Sequence, residues 1–522
     1  MKALQPFTSK TCLLACAIFS FAAPTFAAQR VHSERSTATP LVVAPRWRVA
    51  SFPAAQVSRL QYQEMSAARI LKVQQNNATR RMKPVQIGIN RAASNEGVAA
   101  SLPPLNWMSR KDGSSVARIE VRSPVAIGLR VGLRIDALDP RAELRFAGAS
   151  DPARVVAAMG GKQILRLVNQ GQIFWTPSTD GETQYIEVYL PKGVSGASTK
   201  LQAPLLSHLL TNSRNDFKIM EKVGESDACN VDTICRVAEL GSNYSSAKNA
   251  VARMLFSDNE GSYWCTGTLL ADTVTTSQIP YFYSANHCIS TQDAANTLET
   301  HWKYEAATCG SGAEPVYTQL VGGALLLYLN PDTSSNTPNG TDGLLLRLYD
   351  TPPVGAEFAG WDSTPLANSS NIIGIHHPKG DIKKISSGKQ QAASTSILYN
   401  PIYQNSVAWL SGTTEGGSSG SGLFTADATG YYLRGGLYGG SAECANSGST
   451  ANTQNRDYYS RFDVVFPQIR QWLAPSPSAR IRVNGSQPRV PGKPAAMVPT
   501  TATSPVNKDS RPVRVRTRIY EP

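Results

Sequence analysis

Eight cysteines occur in the 522-residue chain, and where they fall limits the fold more than any other feature. Cys12 and Cys16 sit in an apolar run, residues 11–27, that follows Lys2 and Lys10 and closes on Thr25-Phe26-Ala27. That is the pattern of a secretory signal, residues 1–27, cut near Ala27 or Ala28. A lipid-anchor reading through Leu13-Leu14-Ala15-Cys16 fails because the apolar stretch before Cys16 is short and runs on past it. The other six, Cys229, Cys235, Cys265, Cys288, Cys309 and Cys444, all lie in one half of an exported chain. An even set in that setting reads as three disulfides, with fifteen pairings open to counting. Zinc is disfavoured because no two of them form a Cys-Xaa-Xaa-Cys pair. No later run is long and apolar enough to span a bilayer, so no membrane partner is expected.

Charge divides the chain where the cysteines do. Residues 28–222 carry a net charge of +13, residues 223–475 carry −9, and residues 476–522 carry +7. A nucleic-acid binder places its basic excess on the working domain, whereas the disulfide-bearing segment is acidic. Opposite charge favours association of the two large segments, and an acidic surface draws basic substrates. Residues 28 to about 83 lack sustained apolar alternation and predict a loosely structured or partly helical lead-in. From about 85 to 210, Val85-Gln86-Ile87-Gly88-Ile89, Ala117-Arg118-Ile119-Glu120-Val121 and Tyr185-Ile186-Glu187-Val188-Tyr189-Leu190 alternate as half-exposed strands of a β-rich domain of its own. A polar boundary at 212–228 follows. Residues 223–475 read as many short strands, with almost no helical periodicity until Phe462–Leu473, which suggests a barrel or sandwich closed by one helix. Residues 476–522 are Pro- and Arg-rich and predict a disordered basic tail.

Chemistry enters at Glu415-Gly416-Gly417-Ser418-Ser419-Gly420-Ser421-Gly422. A serine between glycines suits a tight loop that exposes one hydroxyl and backbone NH groups, as acyl transfer requires, although such runs are also ordinary flexible linkers. The hydroxyl needs a histidine to take its proton and a buried carboxylate to orient that histidine. His287 ends an apolar strand in Ser284-Ala285-Asn286-His287-Cys288, where a disulfide from Cys265 would hold it still. Asp342, in Thr341-Asp342-Gly343-Leu344-Leu345-Leu346, stands on the lip of an apolar strand, a costly place for a charge that lacks hydrogen bonds. A metal site at His376-His377 is disfavoured, since neighbours on a strand face opposite ways.

The order His287, Asp342, Ser419, with Ala285-Asn286-His287-Cys288, the upstream Cys265-Thr266-Gly267 and Gly417-Ser418-Ser419-Gly420-Ser421, resembles the chymotrypsin-like serine proteases, and within them the secreted bacterial lysyl endopeptidases. Further resembling segments are Cys229-Asn230-Val231-Asp232-Thr233-Ile234-Cys235, Ala359-Gly360-Trp361-Asp362, Ile375-His376-His377-Pro378, Thr414-Glu415 and Leu437-Tyr438-Gly439-Gly440. The resemblance implies an all-β catalytic domain, a chymotrypsin-like double β-barrel with a C-terminal helix, preceded by a β-rich propeptide domain. It implies disulfides Cys229 to Cys444, Cys235 to Cys309 and Cys265 to Cys288. His287 is then the base, Asp342 its orienter, Ser419 the nucleophile, and the amides of Gly417 and Ser419 the oxyanion hole.

A pocket for lysine needs a desolvated carboxylate. The trypsin position, six residues before the nucleophile, is Thr413 here, so the acid must come from elsewhere; the resemblance of Asn455-Arg456-Asp457-Tyr458-Tyr459-Ser460 nominates Asp457, against the plainer reading of a loop aspartate paired with Arg456. Members of this branch carry a histidine where Tyr438 stands and a tryptophan near Tyr399 to Tyr403, and Ser418 replaces the aspartate that trypsin-type enzymes pair with a freed amino terminus. The expectation is a monomeric, exported serine endopeptidase that passes through the bacterial periplasm, needs no cofactor or metal, and acts on proteins or peptides after lysine. It would be restrained by its own propeptide, with Lys218 and Lys222 preceding the cut. A glutamyl endopeptidase of the same fold and a non-catalytic binding module are the alternatives.

Overall fold

Alternation along the leader strands produces two sheets whose apolar faces meet. Ile119 and Val121 of Ser115–Arg122, Leu144 and Phe146 of Glu143–Gly148, and Ile186 and Val188 of Thr183–Leu190 are buried against Leu129, Val131 and Leu133 of Gly128–Ala137 and Leu206 of Lys200–Leu209. Each such side chain contributes about 1.5–3 kcal/mol by leaving water. A computed structural model describes residues 29–38, 44–79, 84–96, 102–213, 226–258, 260–274, 276–311, 316–330, 340–391 and 404–476. The signal segment, the junction from Lys218 to Gly224, the Tyr399 to Tyr403 region and the tail after Ser476 lie outside the described residues.

Beyond the junction the strands form two barrel units, of which only the second closes. The second closes on itself through Gly430–Gly440, Gly422–Asp427, Asn371–His376, Lys384–Gln391, Gln404–Ser411 and Asp457–Ser460, the last pairing back to the first. The first is built on Val251–Ser257, Gly261–Leu270, Tyr281–Ala285, Glu299–Trp302, Ala324–Leu329 and Gly343–Leu348. Helix Phe462–Leu473 buries Phe462, Val465, Phe466, Ile469 and Leu473, with the spacing of one helical face, against Trp361, Tyr283 and Leu345. Disulfides join Cys229 to Cys444, Cys235 to Cys309 and Cys265 to Cys288.

Three details differ from the sequence reading. The leader has its own core, yet its sheet continues into the first barrel: Val85–Ile89 runs antiparallel to Gly261–Trp264. The Val85-to-Ile89 segment is therefore buried on both faces rather than half-exposed. A side chain at Gly261 would meet the Gly88 carbonyl at 2.2 Å, so the two backbones require glycine there. The lead-in is not loose, because its two-residue strands Arg30–Val31 and Glu34–Arg35 pair with Trp361–Asp362 and Glu357–Phe358. Strands that short carry no readable period. A helix at Ala67–Thr79 accounts for the partly helical reading. Helix Val237–Asn249 has a non-helical Gly241 inside it, and this break hides its periodicity.

Candidate active site

The Ser419 turn is held by what its glycines allow. Gly417 and Gly420 have φ of +88° and +78°, a region open to glycine and strained for other residues. A Cβ on Gly420 would come within 2.1 Å of Ser284 Oγ and 2.5 Å of the Thr266 carbonyl. Thr266, next to Cys265, clamps the turn from the first barrel: its amide donates to the Ser419 carbonyl at 2.8 Å and its hydroxyl to the Gly417 carbonyl at 2.9 Å. Its role was not argued from sequence, where only the Cys-Thr-Gly motif marked it. Among the described residues the amides of Gly417 and Ser419 have no protein acceptor.

His287 leaves the end of strand Tyr281–Ala285, and Cys288 beside it is disulfide-bonded to Cys265. Its Nε2 lies 2.8 Å from Ser419 Oγ and its Nδ1 2.6 Å from Asp342 Oδ2. The Asp342 carboxylate is fully buried and its other oxygen accepts the His287 amide at 2.9 Å. Asp342 itself stands at φ +64°, a left-handed conformation that aspartate tolerates better than most residues. With the imidazole proton on Nδ1 donated to Asp342, Nε2 is free to take the hydroxyl proton. Such an arrangement can generate an alkoxide-like nucleophile and hold the resulting imidazolium.

Asp457 is fully buried on strand Asp457–Ser460, not in an exposed loop. Its Oδ2 accepts from Trp409 Nε1 at 2.7 Å and Thr414 Oγ1 at 2.6 Å, while Arg456 turns away to the carbonyls of Asn452 and Asn455. Gly440 lies opposite, and a Cβ there would come 2.4 Å from Asp457 Oδ1. Trp409 was missed, because a tryptophan in an apolar strand reads as core. Tyr438 packs its ring edge-on to His287, with centroids 5.7 Å apart at 89°.

The two adjacent histidines part at the end of strand Asn371–His376. His376 bridges Ser418 Oγ at 2.9 Å and Ser386 Oγ at 3.0 Å behind the serine turn. His377 Nδ1 meets the Asp381 carbonyl at 2.9 Å, and burial together with the charge of Lys383 holds its pKa well below the ordinary histidine value. Among the described residues no cluster of His, Cys, Asp and Glu is arranged to hold a metal, and no helix is long and apolar enough to cross a membrane.

Residues 223–460 match the model of the lysyl endopeptidase C-terminal domain, and residues 61–210 that of the lysyl endopeptidase N-terminal domain. The chain is 34% identical over 402 residues to the lysyl endopeptidase of Pseudomonas aeruginosa, covering 75% of this chain and 82% of that one. A weaker likeness, 27% identity over 206 residues, links it to secreted RxLR effector protein 73 of Plasmopara viticola, covering 38% of this chain and 47% of that protein. Among solved structures, the HtrA-type protease AlgW with tripeptide aligns with 45% of this chain and 64% of its own at 16% identity and a TM-score of 0.28.

Proposed function

The chain belongs to the lysyl endopeptidase family and is a serine endopeptidase, and from that premise we propose that it cuts peptide bonds on the carboxyl side of lysine and is exported as a precursor restrained by residues 28–222. The observation that carries the reading is the run of short contacts from Asp342 through His287 to Ser419, at 2.6 and 2.8 Å. Ser419 Oγ attacks the substrate carbonyl while His287 Nε2 takes its proton. The oxyanion that forms is met by the amides of Gly417 and Ser419, and Asp342 steadies the imidazolium. His287 then returns the proton to the leaving amine, and a water repeats the sequence to release the acid.

Lysine preference rests on Asp457. A carboxylate buried between Trp409 and Thr414 would meet the substrate ammonium out of water, where the pair is worth far more than at a surface. A glutamyl pocket would need a cation in that place. Tyr438 supplies an apolar wall beside His287 for the substrate chain.

Precursor restraint is supported by the sheet shared between Val85–Ile89 and Gly261–Trp264, and export by the signal pattern and three disulfides. Lys218 and Lys222 are the residues after which an enzyme of this specificity, acting as a monomer, would mature itself. Digestion of a protein of known sequence, read by mass spectrometry, tests the specificity. New carboxyl termini should be lysines; cuts spread over other residues would overturn it. Sequencing the amino terminus of the exported enzyme tests the processing, and a start far from residues 219–224 would refute it.

A further inference from the structure

We propose that Lys379, acting through Glu415, is a positioning residue that sets the geometry of the Gly417 amide, an inference that rests on the serine-endopeptidase chemistry assigned to Ser419. Lys379 occupies the turn Pro378–Gly380, directly beneath the serine turn. Its amide donates to the Gly416 carbonyl, and its ammonium reaches Glu415 Oε2 at 2.7 Å and Asp227 Oδ1 at 2.6 Å. One residue thus grips the segment ahead of Ser419 by main chain and side chain together.

Two observations show that the side chain is used. Lys379 has φ +52°, a conformation that costs a non-glycine residue roughly 1–2 kcal/mol. Glycine would relieve that strain but would leave Glu415 without its cation. Glu415 is only 9% exposed, and a carboxylate that deep is costly unless its charge is matched. Its other oxygen accepts from the Asp227 amide at 2.9 Å and from Asn230 Nδ2 at 2.5 Å. The carboxylate therefore draws three partners toward one point, two residues before Gly417.

The link to the amide is steric. A Cβ on Gly417 would come 2.9 Å from both the Gly380 amide nitrogen and the His377 carbonyl, so the lower turn packs against Gly417 with no slack. From above, Thr266 Oγ1 fixes the Gly417 carbonyl at 2.9 Å. If the Lys379 ammonium is removed, Glu415 loses its cation and shifts, and the Gly416–Gly417 peptide that follows it moves with it while the Gly417 carbonyl stays with Thr266, so the Gly417 amide turns away from where the oxyanion forms. Ser419 Oγ and His287, held from the first barrel, keep their places. The loss should therefore fall on the transition state and spare substrate binding.

The test uses mature enzyme, normalised by active-site titration, with a lysyl peptide anilide. Lys379→Met is expected to lower kcat about 10- to 100-fold, less than deletion of an oxyanion donor, with KM within about twofold. Affinity for a lysyl peptide boronate, whose adduct needs the same amide, should fall in parallel, while affinity for a peptide product ending in lysine stays. Lys379→Arg should restore most of the loss. If Lys379→Met does not fold, Glu415→Gln, which leaves Lys379 paired with Asp227, carries the test with a kcat fall of roughly tenfold. Wild-type kcat and boronate affinity in the folded variants would overturn the proposal, as would kcat and KM changes with no loss of boronate binding. Failure of the wild-type enzyme itself to cut the anilide would instead refute the functional reading beneath it.

Discussion

The two barrels hold their halves of the site in different ways. The second, which bears Ser419, Tyr438 and Asp457, closes on its own strands and is braced by Cys229–Cys444 and the Lys379–Glu415 pair. The first, which bears His287 and Asp342, is extended by the leader, whose strand Val85–Ile89 takes half of one edge of Gly261–Leu270. Buried polar contacts line that seam: Arg130 reaches Thr176, Ser257 and Thr297, and the amide and hydroxyl of Ser178 donate to Glu299. The second barrel's sheet closes without the leader, although Thr266 of the first barrel still clamps the Ser419 turn, whereas the first barrel's sheet is shared with the leader. The leader thus gains its main hold on the barrel that bears His287 and Asp342 rather than on the one that bears Ser419 and Asp457.

The sharpest test of that division is Ser419→Ala. It should lower turnover by roughly 10⁴-fold or more, because the three residues act as a unit. Leader retention in the junction-cut chain, followed by gel filtration, should not change. Asp457→Asn comes next: loss of the buried charge should lower kcat/KM for lysyl substrates by about 2–5 kcal/mol. Active-site labelling by a small phosphonate and leader retention should stay as they were. If either variant released the leader, the two halves would not be independent.

Legibility followed the same division. His287, Asp342 and Ser419 could be nominated because each sits in a short local pattern: the end of an apolar strand beside a cysteine, the lip of another strand, and a glycine-flanked turn. The seam had no such mark. Val85-Gln86-Ile87-Gly88-Ile89 alternates like a strand with one wet face, and only its partner at 261–264, far along the chain, explains why Gln86 and Gly88 are buried. Lys379 carried no mark in the sequence, since nothing local reveals a salt bridge closed between two turns. Pairing across long separations is a tertiary fact, and the period of a single segment cannot carry it.

Acid should loosen the seam. Burial pushes the Glu299 carboxyl up, but His301, Arg130 and Ser178 outweigh this and hold it at about 2, against an ordinary 4.5. A carboxyl so lowered contributes its full stabilisation above about 4.5 and loses it as pH falls through about 2. Ser178 belongs to the leader, so part of that contribution is leader binding. In the junction-cut Ser419→Ala chain, leader affinity should be flat from pH 7 to about 5, then fall by up to roughly tenfold per pH unit. Glu299→Gln should flatten the slope, leaving only what Asp362 and Asp427 contribute through Arg30. Affinity that stayed constant down to pH 3 would show that the seam does not depend on this carboxylate.

The smallest effect is expected where the leader touches the second barrel. Arg30 pairs with Asp362 and Asp427 at 2.6 Å each and lies over Tyr432, but its side chain is 44% exposed, and Arg434 remains 3.5 Å from Asp362 when Arg30 is gone. A half-exposed pair with a substitute cation nearby is worth about 1 kcal/mol or less. Arg30→Ala should therefore speed leader release from the junction-cut chain by no more than about fivefold. Arg130→Met removes a buried guanidinium with three acceptors, and should speed it by far more. Stopped-flow release measured on both variants ranks the two contacts. Were Arg30 to match Arg130, the leader would be held by both barrels alike, and the asymmetry between the halves of the site would be lost.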